Sequence, residues 1–203
     1  FQVFQPRGGG KRQAPTFDVV APGIAKHEEE IVLAPGADPK SDPCLALRAA
    51  VAAAEFGLPI APGTLQNLKS CPIDDRTWND ESRSLFLRLL ASGPALLQVW
   101  EEIDFVDIPG RLIPEWLAIR NRPSASAAHR YTIDRHSVEV VTRLGRETPR
   151  GNRYDDRHYQ ALLLAGILHD IGKRPGIADH AAEGARHAST VLKRCLLYTS
   201  DAA

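Results

Sequence analysis

Apolar positions along this chain recur at helical spacing far more often than at strand spacing. Between residues 41 and 122 they predict a run of short helices: Cys44–Phe56, Thr64–Ser70, Glu81–Ala91 with Leu85, Phe86, Leu89 and Leu90 as its apolar face, Ala95–Ile103 with Trp100 in the core, and one starting at Ile113-Pro114. Asp42-Pro43 supplies an N-cap and a first-turn proline, Gly57 a C-terminal stop, and Asp80 a further cap, while Ile108-Pro109-Gly110 reads as a turn. Ahead of these, Ile24-Ala25 and Ile31-Val32-Leu33 flank a polar stretch and predict a small β-hairpin with His27 in its solvated turn. Beyond the boundary at Asn121–Ser126, Thr132 caps a helix running to Gly145, on which Ile133, His136, Val140 and Leu144 share one inward face. A charged loop, Glu147–Arg157, leads past a solvated His158 to a buried helix ending in Leu162-Leu163-Leu164-Ala165-Gly166-Ile167-Leu168. After the break at Pro175-Gly176, Asp179 caps a helix His180–Arg194, with His187 on its surface. The expected class is mainly α, with a small N-terminal hairpin.

Composition narrows this picture. The chain has 203 residues, 43% of them hydrophobic and 25% charged, which suffices for a packed core. Its formal net charge is zero, so nothing suggests broad attraction to nucleic acid or to an anionic membrane. No apolar run is long enough to span a bilayer, and Phe1–Arg7 lacks the form of a signal peptide, which makes the cytoplasm the default expectation. The three cysteines show no Cys-x-x-Cys spacing. Gly8-Gly9-Gly10-Lys11 lacks the Ser or Thr and the preceding strand of a phosphate loop, and reads as flexible. There is no Met, so the sequence is expected to be a piece of a longer reading frame.

The chemistry concentrates where the buried helix ends, in His169-Asp170-Ile171-Gly172-Lys173. A charged Asp at the end of a buried helix is costly unless it is paired or bound to a cation. His beside Asp offers one neutral nitrogen and one carboxylate oxygen to a divalent metal. Alternatively, His169 caps the helix and Asp170 faces water. An inward His136 is either a hydrogen-bonded core residue or a third ligand, and His129 is not placed. Lys173, one turn past the Asp, can meet phosphate charge, and His180 stands beyond the Pro-Gly break. Such a set suits phosphoester hydrolysis, and no Cys or Ser nucleophile is apparent. Residues 41–120 hold no comparable cluster and read as a packing or spacer unit.

At these residues the sequence resembles the HD superfamily of metal-dependent phosphohydrolases: a lone His on one helix, a His-Asp pair on the next, and a distal Asp. His136 and His169-Asp170 match the first two parts; after His180 the only Asp is Asp201. His129–His136, Leu168–Lys173, Asp179-His180, Leu112–Trp116 and the segment from Asp42-Pro43 to Pro62 are similar, more narrowly, to the family of bifunctional PII-protein uridylyltransferase/uridylyl-removing enzymes, over residues 20–194. That resemblance implies hydrolysis of UMP from modified PII, with His136, His169 and Asp170 as ligands of Mg or Mn, His180 as a possible further ligand, and Asp170 and Lys173 in catalysis. It also implies PII as partner, UMP and UTP as nucleotides and glutamine as effector of the whole enzyme. The family's nucleotidyltransferase motif does not occur here, so uridylyl transfer is not assigned to these residues. Uridylyl and adenylyl groups both remain open.

The implied plan is a nucleotidyltransferase remnant and linker over residues 1–40, a helical middle domain over 41–122 and a truncated HD domain over 123–194. Residues 195–203, Cys195–Ala203, look like a translated sequencing adapter. Without the distal Asp the fragment is expected to be inactive, with apolar positions such as Leu162 and Leu168 incompletely covered. Two other readings stay open: a different HD phosphohydrolase acting on a nucleotide, and a non-catalytic HD module.

Overall fold

A computed structural model of the chain describes residues 16–73, 78–123, 131–147 and 157–195. The Gly8–Lys11 stretch, His129, most of the charged loop and residues 196–203 lie outside them. The molecule is mainly helical. Strands β1 (Asp18–Ala21), β2 (Ile24–His27) and β3 (Glu30–Leu33) form an antiparallel sheet in the order β1-β2-β3. The expected hairpin is β2–β3, with a two-residue turn at Glu28-Glu29, and His27 closes β2 rather than sitting in the turn. His27 Nδ1 lies 3.1 Å from the Thr16 carbonyl. The additional strand β1 carries no burial alternation, and Val19 is exposed, so periodicity could not reveal it.

The sheet packs on α1 (Leu45–Phe56), whose small side chains let it be buried on almost every side: Ala46, Ala49, Ala50, Ala52 and Ala53 all lie in the core. Gly57 ends the helix in the left-handed conformation, and its N–H donates to the Ala53 carbonyl. Asp42 is not the N-cap; Cys44 is. Asp42 Oδ1 instead accepts from the Cys44 N–H at 3.0 Å while Oδ2 pairs with Arg48, and Glu81 first, then Asp42, raise the Arg48 guanidinium further above its ordinary value. α2 spans Pro62–Leu68, with Pro62 in its first turn rather than before it. α3 spans Asp80–Leu90 and is capped not by Asp80 but by Asn79, whose side chain accepts from the Ser82 N–H at 2.7 Å.

α4 (Ala95–Phe105) is followed by α5 (Ile108–Leu112), where a turn was expected, and by a 3-10 turn at Pro114–Ala118. Proline is compatible with a helix's first turn, so the Pro109-Gly110 signal marked a helix start. A Cβ on Gly110 would stand 2.6 Å from the end of the exposed Leu117 side chain, which would have to turn aside. The aromatic rings Trp78, Phe86, Trp100 and Trp116 stack through the middle of this unit with centroids 4.9–6.4 Å apart.

The remaining helices are α6 (Ile133–Glu147), α7 (Arg157–Leu168) and α8 (His180–Arg194). They share one continuous core with the rest. The buried positions of α6 are Ile133, Asp134, Ser137, Val138 and Val141, so the face drawn through His136, Val140 and Leu144 is its half-buried flank. α7 is buried on one side only: Leu163, Leu164, Ile167 and Leu168 are inside, whereas Leu162 is 47% exposed. Leu168 is therefore covered, contrary to expectation, and Leu162 is not. Arg194 of α8 pairs with Glu115, and the Trp78 N–H donates to the Arg194 carbonyl, which fastens the end of α8 to the middle helices. Cys195, the first residue of the suspected tail, is buried, and burial pushes its thiol up to about 12. Among the described residues no helix is long and apolar enough to cross a membrane.

Candidate metal centre

The centre forms where α7 stops. Ile171 N–H donates to the Leu168 carbonyl and Lys173 N–H to the Asp170 carbonyl, so His169 and Asp170 lie in tight turns at the helix end. His169 Nδ1 lies 2.8 Å from the Gly166 carbonyl, a contact that only a protonated Nδ1 can make as a hydrogen bond. The tautomer so assigned leaves the Nε2 lone pair free to bind a metal. Asp170 is 8% exposed. Its Oδ2 receives Lys173 Nζ at 2.8 Å and stands 3.4 Å from His169 Nε2.

His136 reaches this point from α6. Its ring lies 5.3 Å from that of His169, centroid to centroid, at an interplanar angle of 70°. One ligand atom from each of His136, His169 and Asp170 falls within 4.8 Å of the others. The approach depends on Gly166: a Cβ there would stand 2.9 Å from Leu144 Cδ1 and 3.1 Å from Val141 Cγ2. α7 thus lies close against α6 here, and a side chain at this position would push the ends of Leu144 and Val141 aside. Gly145 allows a similar contact, with a Cβ only 2.8 Å from the Gly93 nitrogen, and seats the far end of α6 on the turn between α3 and α4.

Gly172 fixes the other side. A Cβ on it would collide with the His180 carbonyl and with the Gly184 backbone, whose Cα would be 2.7 Å away. The turn carrying Asp170 and Lys173 therefore rests backbone to backbone on the first turns of α8. Gly176 makes the preceding bend in the left-handed region, and Asp179 caps α8 by accepting from the Ala182 N–H at 2.9 Å. His180 has its carbonyl against this turn but an exposed side chain, and it stands outside the ligand group of His136, His169 and Asp170.

His187 is not on the surface. It is 7% exposed, on the inward face of α8 with Gly184 and Val191, and its Nε2 lies 2.6 Å from Glu183 Oε1. Arg186, and after it His187, hold the Glu183 carboxyl down at about 2. The spacing of Gly184, His187 and Val191 was the sequence signal for this inward face.

The donor set suits a divalent cation. Two imidazole nitrogens and one carboxylate oxygen are borderline and hard donors, and they leave further positions for water or substrate. Lys173 places a positive charge at the rim, where it neutralises Asp170 within the protein.

No protein-family profile matches the chain. No solved structure matches it either. Among curated proteins, a bifunctional uridylyltransferase/uridylyl-removing enzyme of Streptomyces coelicolor is 40% identical over 93% of this chain and 22% of its own length. The enzyme of the same description from Mycobacterium tuberculosis is 39% identical over 88% of the chain and 22% of its own length. That from Corynebacterium glutamicum is 34% identical over 80% of the chain and 23% of its own length. The chain thus spans between a fifth and a quarter of the length of these relatives.

Proposed function

Because the chain belongs with the bifunctional uridylyltransferase/uridylyl-removing enzymes, we propose that its His136–His169–Asp170 centre is the HD-type site that hydrolyses UMP from uridylylated PII. The observation that carries this reading is the convergence of the three ligand atoms within 4.8 Å beside Lys173. In this reading residues 41–122 are the middle domain, residues 123–194 the beginning of the HD domain, and residues 1–40 the end of a nucleotidyltransferase domain.

A divalent cation, Mg or Mn, would supply a Lewis acid for the phosphoryl oxygen and make water a better nucleophile. The protein's own groups do the rest. His136 and His169 present neutral nitrogens, the latter oriented by the Gly166 carbonyl. Asp170 supplies the anionic ligand. Lys173 exchanges its bond to Asp170 for one to the substrate phosphate, and His180 approaches from the head of α8. Three protein ligands with a single carboxylate retain a hard cation modestly.

One observation favours the alternative of a non-catalytic HD module: the 2.8 Å Lys173–Asp170 pair already satisfies the carboxylate. Comparing Lys173→Ala with Asp170→Asn in a full-length relative decides between them. For a hydrolytic site, Lys173→Ala leaves Mn binding nearly unchanged and slows UMP release, whereas Asp170→Asn lowers Mn affinity by about tenfold to a hundredfold. Loss of metal in the Lys173 variant, or unaltered release in both, refutes the assignment.

A further inference from the structure

α6 carries His136 to the metal centre on one flank and is tied to the middle helices on another. Asp134 and His136 are two residues apart, which places them roughly 200° apart around the helix. Asp134 faces α4 and the 3-10 turn, where it lines one cleft with Trp100, Asp104 and Trp116. The tie is made where the chain leaves that turn. Arg120 anchors the turn's end, donating through Nε to Asp104 Oδ2 at 3.0 Å. Asn121 then takes a φ of 54°, in the left-handed region that Asn enters more readily than most residues. So turned, its N–H donates to Asp134 Oδ2 at 2.7 Å. The Ile133 N–H donates back to the Arg122 carbonyl at 2.9 Å, and Pro123 pairs with Thr132 in an antiparallel bridge. The chain entering α6 is thus laid against the chain leaving the 3-10 turn, and Asp134 is the side chain that joins them.

Adhesion alone does not account for a carboxylate here. Asp134 is 8% exposed, and its Oδ1 is buried without a hydrogen-bond partner among the described residues. A buried carboxylate accepting so little loses more hydration than it regains, and an apolar side chain of the same size would pack at lower cost. Ser137, buried one turn further along, bonds within α6 to the Ile133 carbonyl. Arg135 pairs with Glu101 of α4, but at 34% and 57% side-chain exposure such a pair is worth little. What Asp134 adds is direction. A short hydrogen bond to a backbone N–H fixes both the rotation and the height of the first turn of α6, whereas apolar contacts permit sliding. The rotation matters on the opposite flank, where the His136 ring meets that of His169 at 5.3 Å between centroids.

We propose that Asp134 is a positioning residue for the metal centre: its bond to the Asn121 N–H sets the rotation of α6 and thereby holds His136 against His169. The purpose of this arrangement rests on the metal reading; the arrangement itself is present without a metal and is tested without one. Asn keeps the acceptor atom and lacks the charge, so Asp134→Asn preserves the geometry. Asp134→Ala removes the acceptor and releases α6. Asp134→Leu removes it with the volume retained, and replaces the alanine variant if that does not fold.

In the metal-free 203-residue chain, proton NMR reads the nuclear Overhauser cross-peak between the His136 and His169 rings. The cross-peak is expected in the wild-type chain and in Asp134→Asn, and is lost in Asp134→Ala and Asp134→Leu. Equilibrium dialysis against Mn then gives affinity per folded molecule, with the folded fraction taken from urea curves, and pulsed electron paramagnetic resonance counts the bound imidazoles. Two imidazoles are expected in the wild-type chain and in Asp134→Asn, and one in Asp134→Ala, with binding about tenfold weaker. A purely structural Asp134 moves the urea midpoint and leaves the cross-peak and the imidazole count as they were. That result overturns the proposal, as does loss of the cross-peak in a folded Asp134→Asn or its absence from the wild-type chain. A wild-type cross-peak that Asp134→Ala abolishes, in a chain that binds no Mn, supports the positioning role and refutes the metal reading instead.

Discussion

The middle helices and the helices around the metal centre are assembled in opposite ways. α1 to α5 are held by side chains that fill space: the ring stack from Trp78 to Trp116, the leucines of α3, and the alanine faces of α1. α6, α7 and α8 are positioned by side chains that are missing. Gly145 meets Gly93, Gly166 meets Val141 and Leu144, and Gly172 meets Gly184. A unit held by bulk loses stability when bulk is removed. A centre held by close backbone approach loses geometry when bulk is added, and its ligands sit at the ends of those approaches.

The largest expected effect lies in the first region. Phe86 is 1% exposed between Trp78 and Trp100, and Phe86→Ala should cost about 3–5 kcal/mol by transfer and cavity terms together. Urea denaturation measures it. Mn affinity per folded molecule should be unchanged, because the stack belongs to the middle helices and supplies none of the three ligand atoms. A fall in affinity in step with stability would erase the distinction between the two regions.

Glycine substitutions should show the reverse weighting. At Gly172 a Cβ meets backbone, which cannot turn aside, so Gly172→Ala must displace α8 from the Asp170 turn. At Gly166 it meets the ends of Leu144 and Val141, which can yield by a few tenths of an ångström. Overpacking of this kind costs about 1–3 kcal/mol. The expected order of stability loss is Gly172→Ala above Gly166→Ala, with Mn affinity falling in both by about tenfold or more as the ligands separate. Equilibrium dialysis against Mn, alongside urea curves, gives both numbers. Unchanged affinity in Gly172→Ala would mean that α8 does not support the site.

How much of this was legible in the sequence follows the same division. Helices that bury side chains announce themselves by period, so α1, α3, α4, α6 and α8 were found close to their true limits. His169 and Asp170 could be singled out because a charged pair ending an apolar run is a local signal, and His136 because it shares a helix flank with Val140 and Leu144. Close backbone approach has no such signal, since a glycine in a helix pattern does not say what it touches. Caps shifted by one or two residues, from Asp42 to Cys44 and from Asp80 to Asn79, because neighbouring polar residues compete for the same N–H groups. α5 was missed because Pro-Gly serves equally as a turn and as a helix start. His187 was misplaced because the helical spacing that puts it on one face with Gly184 and Val191 was not read as an inward face.

The smallest effect concerns that same inward face of α8. Arg186 first, and His187 after it, lower the Glu183 carboxyl to about 2 in the folded chain. A carboxylate depressed on folding contributes stability that is fully present above its unfolded value, about 4.3, and is lost as the pH falls through its folded value. The exposed half of this network is screened by water, so the contribution is modest. The difference between the wild-type chain and Glu183→Gln isolates it from the other carboxylates, which titrate alike in both. The gap in urea midpoint between the two should be widest above about pH 5 and should close toward pH 2. A gap that stays constant from pH 7 to pH 2 would show that Glu183 supports α8 by packing alone and that its bonds to Arg186 and His187 carry no charge-dependent stability.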